Sequence, residues 1–451
     1  MRVVPLRVSV ATAVVAAASL VGCTSSAGAP SLSHHARRGA APLVGGVTDD
    51  NVRLPEYLAY VDAYPHGDVP KLDLTDRQVL TVRDGDTGAP LWDEKIVVDT
   101  PSGPYLARTN AAGSVTFPRA ALGASGLACR ARVRDHGEAT VVPGADDVLV
   151  RGVRRRPTSA PALDVALVVD TTGSMSDEVA RLRATLTSVV ARLDAHPSRP
   201  DVRVALLAYR DVGDRYVTRP TDFTDDVGLV QRQLDRMEAG GGGDTPEAVQ
   251  EALDEAVNRL AWRPEGAVRV LFLVGDAPPH FERGVPYTVT MRRALERGIT
   301  ILPVACSGLD DRGEFVWRQL AAVTLGQFLF VSYGGTTDHH TGPYLENDLD
   351  VLMTRAVLAQ LDALQTGAAA SAPVVVPAAP PVTVASGPRW AAPPPSPYAR
   401  PFAPPAPVPS PMPVERVAPD PWAPSATWGA QGDRLGRGRA PWEFGIPGWG
   451  R

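Results

Sequence analysis

The chain is poor in cysteine and lysine and carries no excess of basic charge. Three cysteines occur among 451 residues, and Lys71 and Lys95 are the only lysines. The formal net charge of −5 argues against nucleic acid as a partner, because a phosphate backbone is bound by an excess of basic residues. Cys129 and Cys306 fall in separate predicted domains. We expect each to be a small buried core residue, and a disulfide between them is the less favoured alternative.

Sequence signatures of several enzyme classes are absent. There is no G-x-S-x-G nucleophile elbow and no H-E-x-x-H zinc motif. The glycine run 240–243 is not followed by the Lys-Ser/Thr pair of a P-loop. The sequence therefore predicts a protein that is not an enzyme, and a metal-dependent hydrolase is the least favoured of the functions considered.

The N-terminus has the layout of a secretory signal. A basic start precedes an apolar run at 8–20, which is too short to span a bilayer comfortably. Together with Cys23 it resembles a bacterial lipobox. The resemblance implies that 1–22 is a lipoprotein signal peptide and that Cys23 is diacylated, which anchors the protein stably. Thr24 rather than Asp follows, which favours the outer membrane or cell surface; an ordinary signal peptide is the alternative.

A buried strand pattern at 163–170 ends abruptly in polar residues. The run of Val, Leu and Ala is typical of a parallel strand covered on both faces, and the next residues include Asp170, Thr172 and Ser174. Open α/β sheets place ligands at the carboxyl ends of their strands. One carboxylate with several hydroxyls suits a hard divalent cation that keeps waters and a free coordination position.

Two distant segments complete this candidate site. Residues 240–247 read Gly-Gly-Gly-Gly-Asp-Thr-Pro-Glu and supply Thr245, and a second buried strand pattern ends at Asp276. The arrangement resembles the von Willebrand factor type A (vWA) family, whose metal-ion-dependent adhesion site has the pattern D-x-S-x-S, then a distant Thr, then a distant Asp. The metal ligands that the resemblance implies are Asp170, Thr172, Ser174, Thr245 and Asp276.

The sequence departs from the family pattern in two places. Thr172 replaces the first Ser but keeps the hydroxyl, and Ala277-Pro278 follows Asp276 where the family usually has Gly. The resemblance implies that Ser174 and Thr245 bind the metal directly, Asp170 and Asp276 directly or through water, and Thr172 in support. Mg²⁺ is the expected ion, with Mn²⁺ and Ca²⁺ as alternatives.

The expected function follows from the charge of such a site. Few carboxylates surround the ion, so an Asp or Glu from a protein partner would take the sixth position as a charge-assisted anchor. We expect a surface-exposed lipoprotein that binds proteins in adhesion or envelope scaffolding. The main alternative is an envelope-binding module in which a β-sandwich binds polysaccharide or protein and the vWA domain is accessory. Three further residues are candidates for the rim of the metal site: Asp211, Asp244 and His280. For Asp211 and Asp244 the alternative role is to cap a turn, whereas His280 would contact a ligand at the rim.

Composition divides the chain into six segments. The predicted fold class is a doubly wound, mostly parallel α/β sheet, preceded by a small all-β sandwich and followed by a disordered Pro-rich tail. The tail contains five of the eight tryptophans, and 441–451 is either a docking segment or a spacer with incidental aromatics. The predicted segments are the signal peptide 1–22, a flexible tether 23–48, a short helix and linker 49–77, the sandwich 78–156, the vWA domain 163–364 and the tail 365–451.

Overall fold

The computed structural model describes residues 43–134, 136–150, 162–195, 200–332, 339–341 and 344–366. The predictions for the signal peptide, for Cys23, for the tether up to residue 42 and for the Trp-containing tail from residue 367 lie outside these residues. None of the helices described is both long and apolar enough to cross a membrane.

The described residues form fifteen strands and seven α-helices. The strands are β1 Val44–Thr48, β2 Arg77–Asp84, β3 Lys95–Thr100, β4 Gly103–Arg108, β5 Ser114–Pro118, β6 Cys129–Val133, β7 Gly137–Val141, β8 Asp147–Val150, β9 Ala162–Asp170, β10 Asp201–Tyr209, β11 Thr218–Thr224, β12 Ala267–Gly275, β13 Ile299–Ala305, β14 Phe328–Val331 and β15 Leu345–Asp348. The helices are α1 Leu54–Ala63, α2 Ser176–Asp194, α3 Val227–Asp235, α4 Val249–Asn258, α5 Tyr287–Arg297, α6 Asp311–Val323 and α7 Leu349–Thr366.

Eight strands form one large sheet in the order β11-β10-β9-β12-β13-β14-β1-β15. Strands β10, β9, β12, β13 and β14 are parallel, whereas β11 pairs antiparallel with β10 and β1 pairs antiparallel with both of its neighbours. The central strands are mostly apolar because both faces are covered; every residue of β12 is buried. The predicted mostly parallel α/β sheet is confirmed.

Helices cover both faces of this sheet. Alternate residues of β9 point to opposite sides: Val165 and Leu167 pack with α2, α3 and α7, whereas Ala166 and Val168 belong to the core that includes α4, α5 and α6. Helix α3 was not predicted, because its nine residues give too short an apolar period. Residues 345–348 form β15, and the last helix described begins directly after it at Leu349.

The predicted C-terminal boundary of the flexible tether, at residue 48, is wrong. Residues 44–48 form β1, which lies between β14 and β15. The strand lacks an alternating apolar pattern because two of its residues are glycines in crowded positions. A Cβ on Gly46 would overlap the Phe330 ring, and a Cβ on Gly45 would lie 2.7 Å from a Leu349 methyl group. Glycine therefore allows the close approach that a hydrophobicity pattern cannot reveal.

A β-rich region precedes the parallel strands, as predicted. It consists of a three-stranded sheet, β5-β2-β8, and a four-stranded sheet, β4-β3-β6-β7. The inner faces of the two sheets contribute to a buried core that is continuous with the α4–α6 side of the large sheet. Cys129 and Cys306 are both buried and free, as expected.

Two kinds of contact dock the β-rich region onto the large sheet. Asp93 accepts from Arg269 at 2.7 Å and from Arg108 at 2.7 Å, so one carboxylate joins the two regions. On the linker after α1, the Pro70 carbonyl accepts from the Tyr287 hydroxyl, and the Leu72 amide donates to Gln319 at 2.9 Å.

Candidate metal site

The first loop of the candidate site follows β9 directly. Asp170 is the last residue of the strand, and a single turn of 3₁₀ helix at Gly173–Met175 leads into α2. Asp170 and Thr172 are fully buried. Oδ1 of Asp170 accepts from the Thr172 amide at 2.8 Å and from the Thr172 hydroxyl at 2.7 Å. These bonds fold the loop back so that its hydroxyls lie at the carboxyl end of the strand.

The loop is connected to the end of the neighbouring strand β12. The Thr172 and Ser174 hydroxyls are 3.1 Å apart, and the Ser174 hydroxyl donates to Oδ1 of Asp276 at 3.1 Å. Asp170, Thr172, Ser174 and Asp276 therefore form one continuous chain of polar contacts, in which each hydroxyl donates its one hydrogen to a carboxylate and the two hydroxyl oxygens face each other. Four of the five residues predicted as ligands come together here, although 102 positions separate Ser174 from Asp276.

Thr245, the fifth predicted residue, is not part of this chain. It is exposed, it precedes Pro246 through a cis peptide bond, and its side chain makes no hydrogen bond within the described residues. Its glycine-rich loop does reach the site, since the Gly173 amide donates to the Gly241 carbonyl at 3.0 Å. The structure thus places the loop of Thr245 beside the site without engaging its hydroxyl.

Glycine is required in that loop at two positions. Gly241 and Gly242 have φ angles of +79° and +65°, which residues with a side chain rarely adopt. A Cβ on Gly242 would lie 2.9 Å from Oε1 of Glu247 and 3.2 Å from Cβ of Thr172. A Cβ on Gly241 would overlap the Asp214 carboxylate. The glycine run therefore brings backbone, Thr172 and two carboxylates into close proximity.

The carboxylates of the site lack compensating positive charge. Burial, together with the nearby charge of Asp276, raises the pKa of Asp170 to about 7 against the opposing effect of its hydrogen bonds to Thr172. Burial and the charge of Glu178 likewise raise the pKa of Asp276. Burying carboxylates without a partner disfavours their charged form. A bound cation would supply the missing charge.

One oxygen of the site is left without a well-formed bond. Oδ2 of Asp170 is buried, and neither it nor the adjacent Tyr209 hydroxyl completes a hydrogen bond of normal geometry within the described residues. The Tyr209 hydroxyl lies beside Asp170 and lowers its pKa slightly. An orphaned carboxylate oxygen next to two hydroxyls is a donor set that fits a hard divalent ion.

Glu247 is a functional candidate that the sequence analysis missed. Its side chain is 3% exposed, and Oε2 has no hydrogen-bond partner in the described part of the chain. The pKa of Glu247 is raised to about 8. Burial is the largest cause, and the nearby negative charges add to it; these are Asp170, Asp211, Asp214 and Asp276. The signal was present, because Glu247 lies two residues after Thr245. We refer to Asp170, Asp211, Asp214, Glu247 and Asp276 as the acidic edge.

Two of the three predicted rim residues contact each other. Nε2 of His280 lies 2.8 Å from Oδ1 of Asp211, and its Nδ1 lies 3.2 Å from Glu282. Asp211 lies close enough to Glu247 to raise its pKa. Asp244 is exposed and its side chain makes no hydrogen bond within the described residues. Asp214, which was not predicted, accepts from the Gly242 amide at 2.7 Å and so holds the glycine loop in place.

No set of three or more His, Cys, Asp or Glu side chains lies close enough to hold a metal in the ranges that the structure describes. Binding at this site would depend on hydroxyls and water as well as on Asp170 and Asp276. This is the composition that the vWA resemblance implies, since the family pattern contains only two carboxylates.

With this geometry in place, comparison with known proteins gives the class of the domain. The family model for the von Willebrand factor type A domain matches residues 164–331, and the chain contains a vWA domain at those positions. Domains of this family mediate protein–protein interaction or adhesion, often bind a divalent metal, and are generally not enzymes.

Curated relatives match about a quarter of the chain. The chain is similar to von Willebrand factor A domain-containing protein 7 of Homo sapiens, with 33% identity over 119 residues, which is 26% of this chain and 12% of that protein. It is also similar to the alpha-protein kinase vwkA of Dictyostelium discoideum, with 28% identity over 124 residues, 27% of this chain and 19% of that protein. The matched segment thus spans less than a fifth of either relative.

Solved structures resemble the chain at low overall similarity. Proximal thread matrix protein 1 from the mussel byssus is 14% identical, with a TM-score of 0.27, and the match covers 37% of this chain and 46% of that one. The pilus adhesin SpaC from Lactobacillus rhamnosus GG is 12% identical, with a TM-score of 0.28, over 39% of this chain and 31% of that one.

Proposed function

We propose that this protein binds protein partners through a divalent metal ion held at the acidic edge, with an Asp or Glu of the partner completing the coordination. The observation that carries the proposal is the chain of polar contacts from Asp170 through Thr172 and Ser174 to Asp276, with a buried carboxylate oxygen left unpaired. Mg²⁺ is the ion that this set of hydroxyl and carboxylate oxygens suits best, with Mn²⁺ and Ca²⁺ as alternatives.

Asp170, Ser174 and Asp276 would hold the ion, Thr172 would orient Asp170, and Thr245 would join by movement of its exposed loop. A bound cation supplies positive charge that the site otherwise lacks, and two carboxylates leave part of that charge for an incoming acidic group. The Gly240–Gly243 backbone and the His280–Asp211 pair border the site and would restrict which partner surface fits. The glycine backbone is neutral and Asp211 is acidic, so these borders favour a partner surface that brings only one carboxylate to the site.

We also propose that the protein is a lipoprotein of the bacterial cell envelope, anchored through diacylated Cys23 and exposed at the outer membrane or cell surface. The proposal rests on the basic start, the short apolar run and the cysteine at position 23. Metabolic labelling with a clickable palmitate should label the wild type and not Cys23→Ser. Equal labelling of the two would contradict the anchor without affecting the metal proposal.

The metal proposal is tested by calorimetry and by affinity capture. Mg²⁺ should bind the purified protein with one saturable site, and Asp170→Ala should abolish the binding. The matched control is Asp225→Ala, because Asp225 is exposed and follows β11, which runs antiparallel and ends at the opposite edge of the sheet. Wild type and control should capture the same envelope proteins in Mg²⁺ and lose them in EDTA.

Two results would contradict the proposed function in different ways. Failure of Mg²⁺, Mn²⁺ and Ca²⁺ to bind the wild-type protein would remove the metal site. Metal binding with capture that is unchanged by EDTA and by Asp170→Ala would favour the alternative in which the β-sandwich binds polysaccharide or protein and the vWA domain is accessory.

A further inference from the structure

A cleft of about 750 Å³ lies between the β-rich region and the vWA domain, at the edge of the large sheet opposite to the acidic edge. One wall consists of β3 and β4, and the other consists of the end of α4, the start of β12 and helix α5. This volume is in the range of pockets that bind small organic molecules. No local sequence pattern indicates this cleft, because its two walls come from separate domains.

The cleft is strongly basic. Six basic residues line it against two acidic residues, Asp254 and Glu296. We refer to this pocket as the basic cleft; its basic residues are Lys95, Arg108, Arg263, Arg269, Arg293 and Arg297. The whole chain is acidic, so this concentration of positive charge is local and is not a consequence of composition.

The carboxylates near the cleft pair with some of its basic residues and are shared among others. Arg263 pairs with Asp164 and Asp201, and Arg293 pairs with Glu296. Asp93 is shared by Arg108 and Arg269, with 2.7 Å to each. Glu265 is shared by Arg134 and, at 4.0 Å, by Lys95. At Asp93, one carboxylate thus faces two buried guanidiniums.

Arg297 is the least compensated of the group. It forms no ion pair within the described residues, and its one polar contact is a long bond of 3.4 Å to the Asn258 carbonyl. Its guanidinium has further N–H donors that this contact does not use. Burial and the neighbouring charges of Arg293 and Arg269 lower its pKa, which reflects how closely the cations are gathered. Arg269 is 3% exposed, and its Nη2 lacks a hydrogen-bond partner in the described part of the protein.

Apolar side chains lie among these cations on both walls. Leu106 of β4 is 40% exposed and Val285, just before α5, is 37% exposed; both line the cleft. Val97 and Val289 add further apolar surface. Apolar surface next to a guanidinium suits a ligand that combines an apolar part with an anionic group.

We propose that the basic cleft binds a small organic anion with an apolar body, such as a medium-chain carboxylate, with the anionic group at Arg297 and the apolar part between Leu106 and Val285. This site goes beyond the metal-dependent function and does not depend on it. The chain's own tail is not the occupant that charge favours, because residues 367–451 contain seven arginines against four acidic side chains.

The test uses decanoate, acetate and decyltrimethylammonium as probes in calorimetry with the purified protein. Decanoate should bind at one saturable site. Acetate, which lacks the apolar chain, and decyltrimethylammonium, which has the opposite charge, should bind at least about tenfold more weakly, since each loses one of the two contributions.

Two variants locate the site. Arg297→Gln should weaken decanoate binding by about fivefold or more through loss of a charge-assisted contact, and Leu106→Ser should weaken it through loss of apolar contact. Arg232→Gln is the matched control, because Arg232 is an exposed arginine on α3, outside the cleft. Unchanged melting temperatures would show that both site variants fold.

Three results would overturn the proposal: decanoate binding that does not saturate, equal binding of decyltrimethylammonium, or equal weakening by Arg232→Gln and Arg297→Gln. Mg²⁺ titration of Arg297→Gln distinguishes this proposal from the metal site, because that variant should bind Mg²⁺ as the wild type does.

Discussion

The acidic edge and the basic cleft lie at opposite ends of the same parallel strands and differ in almost every respect. The acidic edge gathers carboxylates at the carboxyl ends of β9, β10 and β12 and from the loop before α4, and burial and mutual repulsion raise the pKa values of Asp170 and Glu247. The basic cleft gathers arginines near the amino ends of β12 and β13 and has too few carboxylates. One end of the sheet is therefore suited to a cation and the other to an anion, within a chain whose net charge is only −5.

The comparison also shows how each region is stabilised. At the acidic edge the charges repel one another, and hydroxyls and glycine backbone hold them in place. At the basic cleft, a shared carboxylate joins the two domains through two buried arginines. Removing charge should thus stabilise the first region and destabilise the second.

The largest effect is expected from Asp93→Asn. This change leaves the buried guanidiniums of Arg108 and Arg269 without a carboxylate, and breaking a buried ion pair from one side costs about 4 kcal/mol. Asn tolerates the positive φ of 59° at this position, so the backbone is not strained. Urea denaturation should show the loss, and a change below about 1 kcal/mol would mean that the Asp93 carboxylate does not hold the domains together.

Next in size is the effect of Asp170→Ala on metal binding. Loss of a buried carboxylate at the centre of the site should weaken Mg²⁺ binding by about hundredfold or more, which corresponds to about 2.7 kcal/mol. Calorimetry measures this directly. Decanoate binding in the basic cleft should stay the same, and a parallel loss of both affinities would show that the two ends of the sheet are coupled.

The metal-free protein should lose stability as the pH rises. Folding raises the pKa of Asp170 to about 7 and that of Glu247 to about 8. The folded protein therefore retains protons that the unfolded chain releases above about pH 4, and its stability falls with pH until the folded-state pKa values are passed.

Glu247→Gln removes one of these groups and should stabilise the metal-free protein at pH 8.5 by about 2 kcal/mol relative to wild type, with little difference at pH 4. Denaturation in EDTA at the two pH values measures it. The opposite sign, a loss of stability at pH 8.5, would mean that the Glu247 carboxylate is stabilised by a partner when charged.

The smallest effect is expected for Arg134→Ala. Arg134 pairs with Glu265 beside the cleft, but the two side chains are 38% and 44% exposed. Exposed ion pairs contribute little, so the free energy of unfolding should change by less than about 0.5 kcal/mol. A loss comparable to that of Asp93→Asn would show that an exposed ion pair between the two domains contributes as much stability as a buried one.

The sequence predicted those parts of the fold and of the candidate site that depend on a local pattern of residues. The long apolar runs of β9 and β12 identify buried parallel strands, and a carboxylate directly after such a strand can only lie at the sheet's carboxyl edge. Asp170, Thr172, Ser174 and Asp276 were predicted for this reason together with the family resemblance. The structure brings them together as expected.

Features that depend on tertiary contacts were not predicted. Strand β1 was missed because its glycines are selected by neighbouring Phe330 and Leu349, which no local pattern reveals. In the sequence, Glu247 looks like an ordinary acidic residue just before a helix. Only the burial of its carboxylate oxygen, which the structure shows, distinguishes it from such a residue. The basic cleft draws on residues 95–108 and 254–297, and which faces meet is decided by domain docking.

The position of β1 has a mechanical consequence. Four residue pairs join it to β14 and four join it to β15, so this short segment completes the sheet on one side of the vWA domain. Tension applied to the chain ahead of Leu43 is transmitted first to these two ladders of backbone hydrogen bonds. A pull from that end therefore loads the sheet that carries the candidate metal site before it reaches the β-rich region.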